Sequence, residues 1–166
     1  MRYLAIGLVA AVLATAAGAQ DSGWGYFQGE GGAGGAGVQS ADGGQLLIKC
    51  DKPGKHQVFA VIVAQQNLAP PLPPTKFESQ PVRIRFDTNA PAEDNWRAND
   101  KFVMAVDQGN TRTLTRLLQK MAVAKTMQFE VRPLRLSPYS TSFNVSGAKA
   151  AIDKVYADCK DDNPLG

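Results

Sequence analysis

Residues 45–65, QLLIKCDKPGKHQVFAVIVAQ, decide the fold. Gln45–Cys50 and His56–Gln65 are short apolar runs of strand length, rich in β-branched residues, and the Pro53-Gly54 pair between them is a turn signal. The stretch therefore predicts a β-hairpin.

The same pattern continues on the C-terminal side. Pro81–Asp87 (PVRIRFD) alternates strictly, with Val82, Ile84 and Phe86 on one face and Arg83, Arg85 and Asp87 on the other, the period of a half-buried strand. Pro91–Asn95 reads as a turn leading through Trp96 to a strand at Lys101–Val106. Thr126–Arg132 and Tyr139–Val145 read as two more strands, with Pro133 and Pro138 marking the bend between them. The segment from Asn67 to Gln80, with Pro70, Pro71, Pro73 and Pro74, lacks the donors of a central strand and is expected on the surface.

Two helices are predicted, both late in the chain. Leu114, Leu117, Leu118 and Met121 share one face of a helix at Thr111–Ala124, with Asn110 placed as its cap. Ala148, Ala151, Ile152, Val155 and Cys159 share a face of the second, with Ser146 as cap and Gly147 opening it. The acidic tail at 161–166 is expected to fray. Strands first and helices late predict an α+β, β-rich fold: an antiparallel sheet or sandwich of about seven short strands with two helices on one side or end.

On the N-terminal side, ten of the sixteen glycines fall between Gly23 and Gly44. Trp24, Tyr26 and Phe27 argue for a short strand at Trp24–Gln28, and Glu30–Gly37 reads as a loop. A phosphate-cradling loop is excluded, since such a loop joins a strand to a helix and its nucleotide version carries Lys-Ser or Lys-Thr, and neither feature occurs here. Residues 20–44 are thus expected as a glycine-rich segment ahead of a single domain at 45–160. The first 19 residues, with Arg2 as the one charge, an apolar run and a closing Ala17-Gly18-Ala19, have the three parts of a secretory signal peptide. The expected location is the periplasm or the medium, with no transmembrane segment after cleavage.

Export makes a disulfide the default reading of Cys50 and Cys159, stapling the C-terminal helix to the first core strand. With 18 Lys and Arg against 15 Asp and Glu, the chain is too nearly neutral for a nucleic-acid binder. The single histidine, His56, lies at the predicted turn beside Lys55 and is read as a surface residue. No catalytic set is expected, and no metal site or cofactor. A tetrahedral site lacks ligands, and Asp158, Asp161, Asp162 and Asn163 lack the spacing of a calcium loop. A carboxylate-dependent envelope hydrolase using two of Asp87, Asp94, Asp100, Asp107 and Glu130 stays open as an alternative, as does a small-ligand or inhibitor module.

Candidate binding residues are Arg83, Arg85 and Arg132, a cationic patch if their strands pair, and the aromatic Trp24, Tyr26 and Phe27. The bland reading of the arginines is a cross-strand ladder with Glu130 and Asp87, and it is the preferred one.

The strand ending in cysteine (Leu46, Ile48, Cys50), the segment from Val82 to Asp87 followed by Trp96, and the spacing Phe143, Gly147, Ala151, Ile152, Val155, Cys159 together resemble the small exported accessory proteins found with type VI secretion clusters, and related periplasmic proteins. The resemblance spans Gln45 to Cys159. It implies a non-enzymatic accessory component of a cell-envelope assembly with a protein partner, and it supplies no catalytic residues.

Overall fold

A computed structural model describes residues 23–28 and 34–166. The expected signal segment, residues 1–19, and the first part of the expected loop, residues 30–33, lie outside them. Nine strands form one fully antiparallel sheet: β1 (Gly25–Gln28), β2 (Gly34–Gln39), β3 (Gln45–Cys50), β4 (Val58–Val63), β5 (Glu78–Phe86), β6 (Ala92–Asn99), β7 (Phe102–Ala105), β8 (Thr126–Val131) and β9 (Tyr139–Asn144). Two helices, α1 (Thr113–Met121) and α2 (Ala148–Cys159), complete it. The strands run β1-β2-β3-β4-β7-β6-β5-β8-β9 across the sheet.

The β3–β4 hairpin forms as its sequence predicts, with Cys50 opposite Val58 and Ile48 opposite Ala60. Alternation then sends Leu46, Ile48, Ala60, Ile62, Val103, Ala105, Ala98 and Trp96 to one face, where the row continues through Val82, Ile84, Phe129 and Phe143. All of these are buried, because α1 packs against β6 and β7, and α2 against β2, β3 and β4. Burying that row removes several hundred Å² of apolar surface from water and is the main source of stability.

Cys50 and Cys159 are bonded, with Cα atoms 5.7 Å apart across a sequence separation of 109, tying the last turn of α2 to the end of β3. Gly54 then donates its N–H to the Cys159 carbonyl at 2.7 Å.

The strand count is nine rather than about seven because two strands carry weak apolar signals. In β2 the inward residues are Ala36 and Val38 and the outward ones Gly35 and Gly37, so the segment reads as a loop although its alternation is intact. The sheet therefore begins well before Gln45, and the segment 34–39 is strand. In β6 the stretch Ala92–Asn95, expected as a turn, is already ladder opposite β5, and the chain reverses earlier, at Asp87 (φ 49°), with Asn89 donating to the Phe86 carbonyl.

Three terminal details differ from expectation. Asn110 does not cap α1, because Gln108 and Thr111 close a tight turn that leaves it at the tip; Asp107 instead accepts the Thr115 N–H at 3.1 Å. Ser146 does not cap α2: Gly147 occupies that position at φ 81°, a left-handed backbone that suits glycine, and Ser146 donates its N–H to the Asn144 side chain. The tail does not fray. Lys160 turns left-handed at the end of α2, and the Asp161 carboxylate accepts the backbone N–H groups of His56, Gln57 and Val58 at 2.7, 2.9 and 3.2 Å. Leu165 packs against the core, and Asn163 donates to Asp153.

Two outcomes follow for stability. Replacing both Cys50 and Cys159 with Ala removes about 4 to 5 kcal/mol in the chain-entropy account, less any native strain, read as a lowered urea midpoint against the oxidised protein. Partial burial pushes the Asp161 carboxyl up, but the four N–H groups of His56, Gln57, Val58 and Asp162 outweigh it and hold it below the usual carboxylate range. Its contribution is therefore fully present above about pH 4 and is lost as pH falls through the depressed folded value. In Asp161→Asn an amide NH₂ faces backbone donors, which costs about 1 to 2 kcal/mol near neutral pH. Melting temperatures of the two proteins between pH 7 and pH 2 should converge on the acid side.

Candidate functional site

The two helices cover one face of the sheet only. On the other, register places Phe27, Gly35, Lys49 and Phe59 in one row and Gly37, Leu47, Val61, Met104 and Arg97 in the next. Phe27 is exposed, and Leu47, Phe59, Val63 and Met104 are half-buried. The glycines of β2 explain how this face is built. A Cβ on Gly35 would meet the Phe27 ring and, at 2.8 Å, the Ile48 carbonyl oxygen, and one on Gly37 would meet Leu47. Phe27 and Leu47 thus lie flat over bare backbone, a cross-strand cover that makes up for the missing side chains. The ionic groups of these rows are Lys49, whose Nζ stands 6.0 Å from the Phe59 ring centroid, and Arg97.

At its β7 end this face deepens into two clefts that share Met104 and Val106. The first, about 700 Å³, lies between the proline segment and the Gln108–Thr113 wall, with Lys76, Phe77, Glu78, Asn95, Trp96 and Arg97 around it. Asn99 moors that proline segment: its amide oxygen accepts the Leu72 N–H at 2.9 Å and its nitrogen donates to the carbonyls of Leu72, Pro73 and Lys76. The second, about 630 Å³, holds His56, Asp107, Arg112, Tyr156 and Asp161. Three of its four carboxylates are engaged in structure, Asp107 at α1, Asp161 on backbone and Asp162 with Lys55, and Asp51 is the fourth. The buried Tyr156 phenol is pushed up by burial, then by the charges of Asp161 and Asp107.

The residues singled out in the sequence divide. Register places Arg83 between Glu93 of β6 and Glu130 of β8, and Arg132 donates to Glu130; among the described residues neither Arg83 nor Arg85 is within salt-bridge distance of a carboxylate. Asp87 pairs with none of these arginines. Its carboxylate accepts the N–H groups of Thr126 and Lys125, which hold it below the usual range. Arg85 faces Gln128. Trp24 is buried, which removes it from the binding surface, whereas Tyr26 and Phe27 are exposed on opposite faces, Tyr26 beneath Lys154 of α2 and Phe27 on the open face.

Of the carboxylates held open for hydrolysis, Asp107 and Glu130 line different clefts, and neither shares its cleft with Asp87 or Asp100. Asp94 is bound to Arg116 at 3.0 Å. Among the described residues, no three His, Cys, Asp or Glu side chains gather as a metal-binding group. His56 is exposed, and the group it contributes to a defined contact is its main-chain N–H.

Sequence reasoning missed Leu47, Phe59, Met104 and Arg97 as a group. The signal was present: Phe59, Val61 and Val63 make β4 apolar on both faces, which a sheet covered on one side does not require. No family model matches this chain, and neither a curated protein nor a solved structure does.

The close cover of β2 has a measurable consequence. Gly35→Val drives a side chain into the Phe27 ring and the Ile48 carbonyl, at a cost of about 1 to 3 kcal/mol in a urea unfolding curve, while Gln39→Val, exposed at the end of the same strand, is expected within about 0.5 kcal/mol.

Proposed function

We propose that this protein is an exported binding domain, an accessory component of a cell-envelope assembly, which meets a protein partner through the face that its helices leave open. The observation that carries this reading is the apolar field of Phe27, Leu47, Phe59 and Met104 around the buried Val61, whose rows carry Lys49 and Arg97 and no carboxylate. A face of that kind fits a partner surface that is apolar with an acidic rim. Two copies laid face to face would bring Lys49 and Arg97 toward like charges, so a different chain is the better occupant.

Export is supported by the three-part N-terminal sequence and by the disulfide, which forms and persists in oxidising compartments. No helix among the described residues is long and apolar enough to cross a membrane. The resemblance to accessory proteins of type VI secretion clusters names the kind of assembly this reading expects.

Affinity recovery of the tagged, oxidised protein from cross-linked envelope tests it. One assembly should be recovered reproducibly, and Leu47→Ser with Phe59→Ser should lower its yield at least tenfold while Arg83→Ala with Arg85→Ala leaves it unchanged. Loss on the arginine pair, with the apolar pair silent and both variants folded by circular dichroism, would move the site to the ladder.

A further inference from the structure

The first cleft has three features that its place in the fold leaves unused. The first is backbone. β6 pairs with β5 along Ala92–Ala98, but β7 pairs with it only over Arg97–Asn99 before the chain turns away toward α1. The β7-facing edge of Ala92–Trp96 therefore has no ladder partner; Ala92–Asp94 lie against α1, the Asn95 N–H is taken by the Asp94 carboxylate, and Asn95 and Trp96 are the part that lines the cleft. An unpaired strand edge is the element that accepts an extended peptide.

The second is charge. Arg97 is half-buried, its guanidinium donates to Gln108 Oε1, and among the described residues no carboxylate lies within salt-bridge distance of it. Lys76 is likewise unpaired. Glu78 lines the cleft too and contacts neither, leaving the cleft with one excess positive charge. A half-buried guanidinium held by a neutral amide keeps donors of its planar fork for a carboxylate. The third is shape: Leu72, Phe77, Met104 and Val106 give the cleft apolar walls, and about 700 Å³ is the size of a site for a few residues of chain.

From these we infer that the cleft between β6 and the Gln108–Thr113 wall binds the C-terminal end of an extended polypeptide. Its terminal carboxylate lies at Arg97 and Lys76, its last apolar side chain lies against Phe77 and Met104, and its backbone runs along the Asn95–Arg97 stretch of β6 that lines the cleft. This rests on the reading of the protein as a binding domain and names the part of the partner that it grips.

The test uses the oxidised protein, immobilised, and two random hexapeptide libraries identical except that one ends in a free carboxylate and the other in an amide. Retained peptides are identified by mass. Free-acid peptides with an apolar last residue should be retained at least tenfold over their amides, and Arg97→Met should bring the two libraries to parity. Equal retention of the amides, retention that Arg97→Met leaves intact, or retention of neither library overturns the proposal. Lys76→Ser, an exposed position, serves as a second variant should Arg97→Met not fold, and is expected to lower free-acid retention severalfold. The outcomes separate from those of envelope recovery. An assembly recovered with no preference for free carboxylates leaves the accessory reading standing and removes this one; peptides retained with no assembly recovered do the reverse.

Discussion

The bond between Cys50 and Cys159 decides which side of the sheet is a core and which is a surface. By fixing the end of α2 to the end of β3, it holds the helix over β2, β3 and β4 on the face that Ile48 and Ala60 share. α1 lies on that same face over β6 and β7, so the opposite side of these strands carries no helix. A domain of this size buries enough apolar surface to fold, and the covalent link adds to it by limiting the unfolded chain. The C-terminal segment is then pinned twice, by sulfur and by the Asp161 carboxylate on the backbone of the β3–β4 connection.

The sheet order follows from two long connections. The proline segment carries the chain from β4 to β5 past the places later filled by β7 and β6, and α1 carries it from β7 to β8. Both crossings leave marks on the open side. The proline segment is anchored there by Asn99, with Phe77 edge-on to Phe102 at 6.2 Å between centroids, and the departure of β7 toward α1 splits the sheet at β6. The far end curls inward until Thr141 of β9 donates to Asp42 in the β2–β3 turn, at 2.7 Å. The Ser40 hydroxyl has the largest effect on the Asp42 carboxyl and burial, opposing it, the next; with Thr141, Tyr139 and the Gly44 backbone adding smaller effects, the carboxyl is held down at about 2. The Tyr139 hydroxyl occupies the space where a side chain at position 44 would begin, which is why Gly44 is glycine.

Strands that alternate between apolar and charged residues were legible, because burial on one face imposes period two: Pro81–Asp87 covers the later part of β5, which begins earlier, at Glu78 within the segment expected on the surface, and Thr126–Arg132 matches β8 to one residue. Helix faces were legible for the same reason. What hid β2 was the chemistry of its outward face, where neighbours from β1 and β3 supply the bulk that its own glycines lack, a property of the pair and not of the segment. Caps failed similarly, since Asp107 reaches α1 from outside the window in which a cap is sought. The binding face was half legible. Phe27 could be named from composition, but Leu47, Phe59, Met104 and Arg97 come from four strands, and register alone gathers them.

The proline segment is also one wall of the first cleft, and the Asn99 side chain is one of its anchors beside its backbone hydrogen bonds to Asp100. Asn99 Nδ2 donates to three carbonyl oxygens at once, with no acceptor role at that atom. Hydrolysis of that side-chain amide to a carboxylate would set an anion against three acceptors, and mutual repulsion would release the wall. The cleft thus carries a site of chemical ageing, shielded by the burial of Asn99 and by the hydrogen bonds of its amide, and slow deamidation would erode its shape while the disulfide-linked core beneath stayed intact.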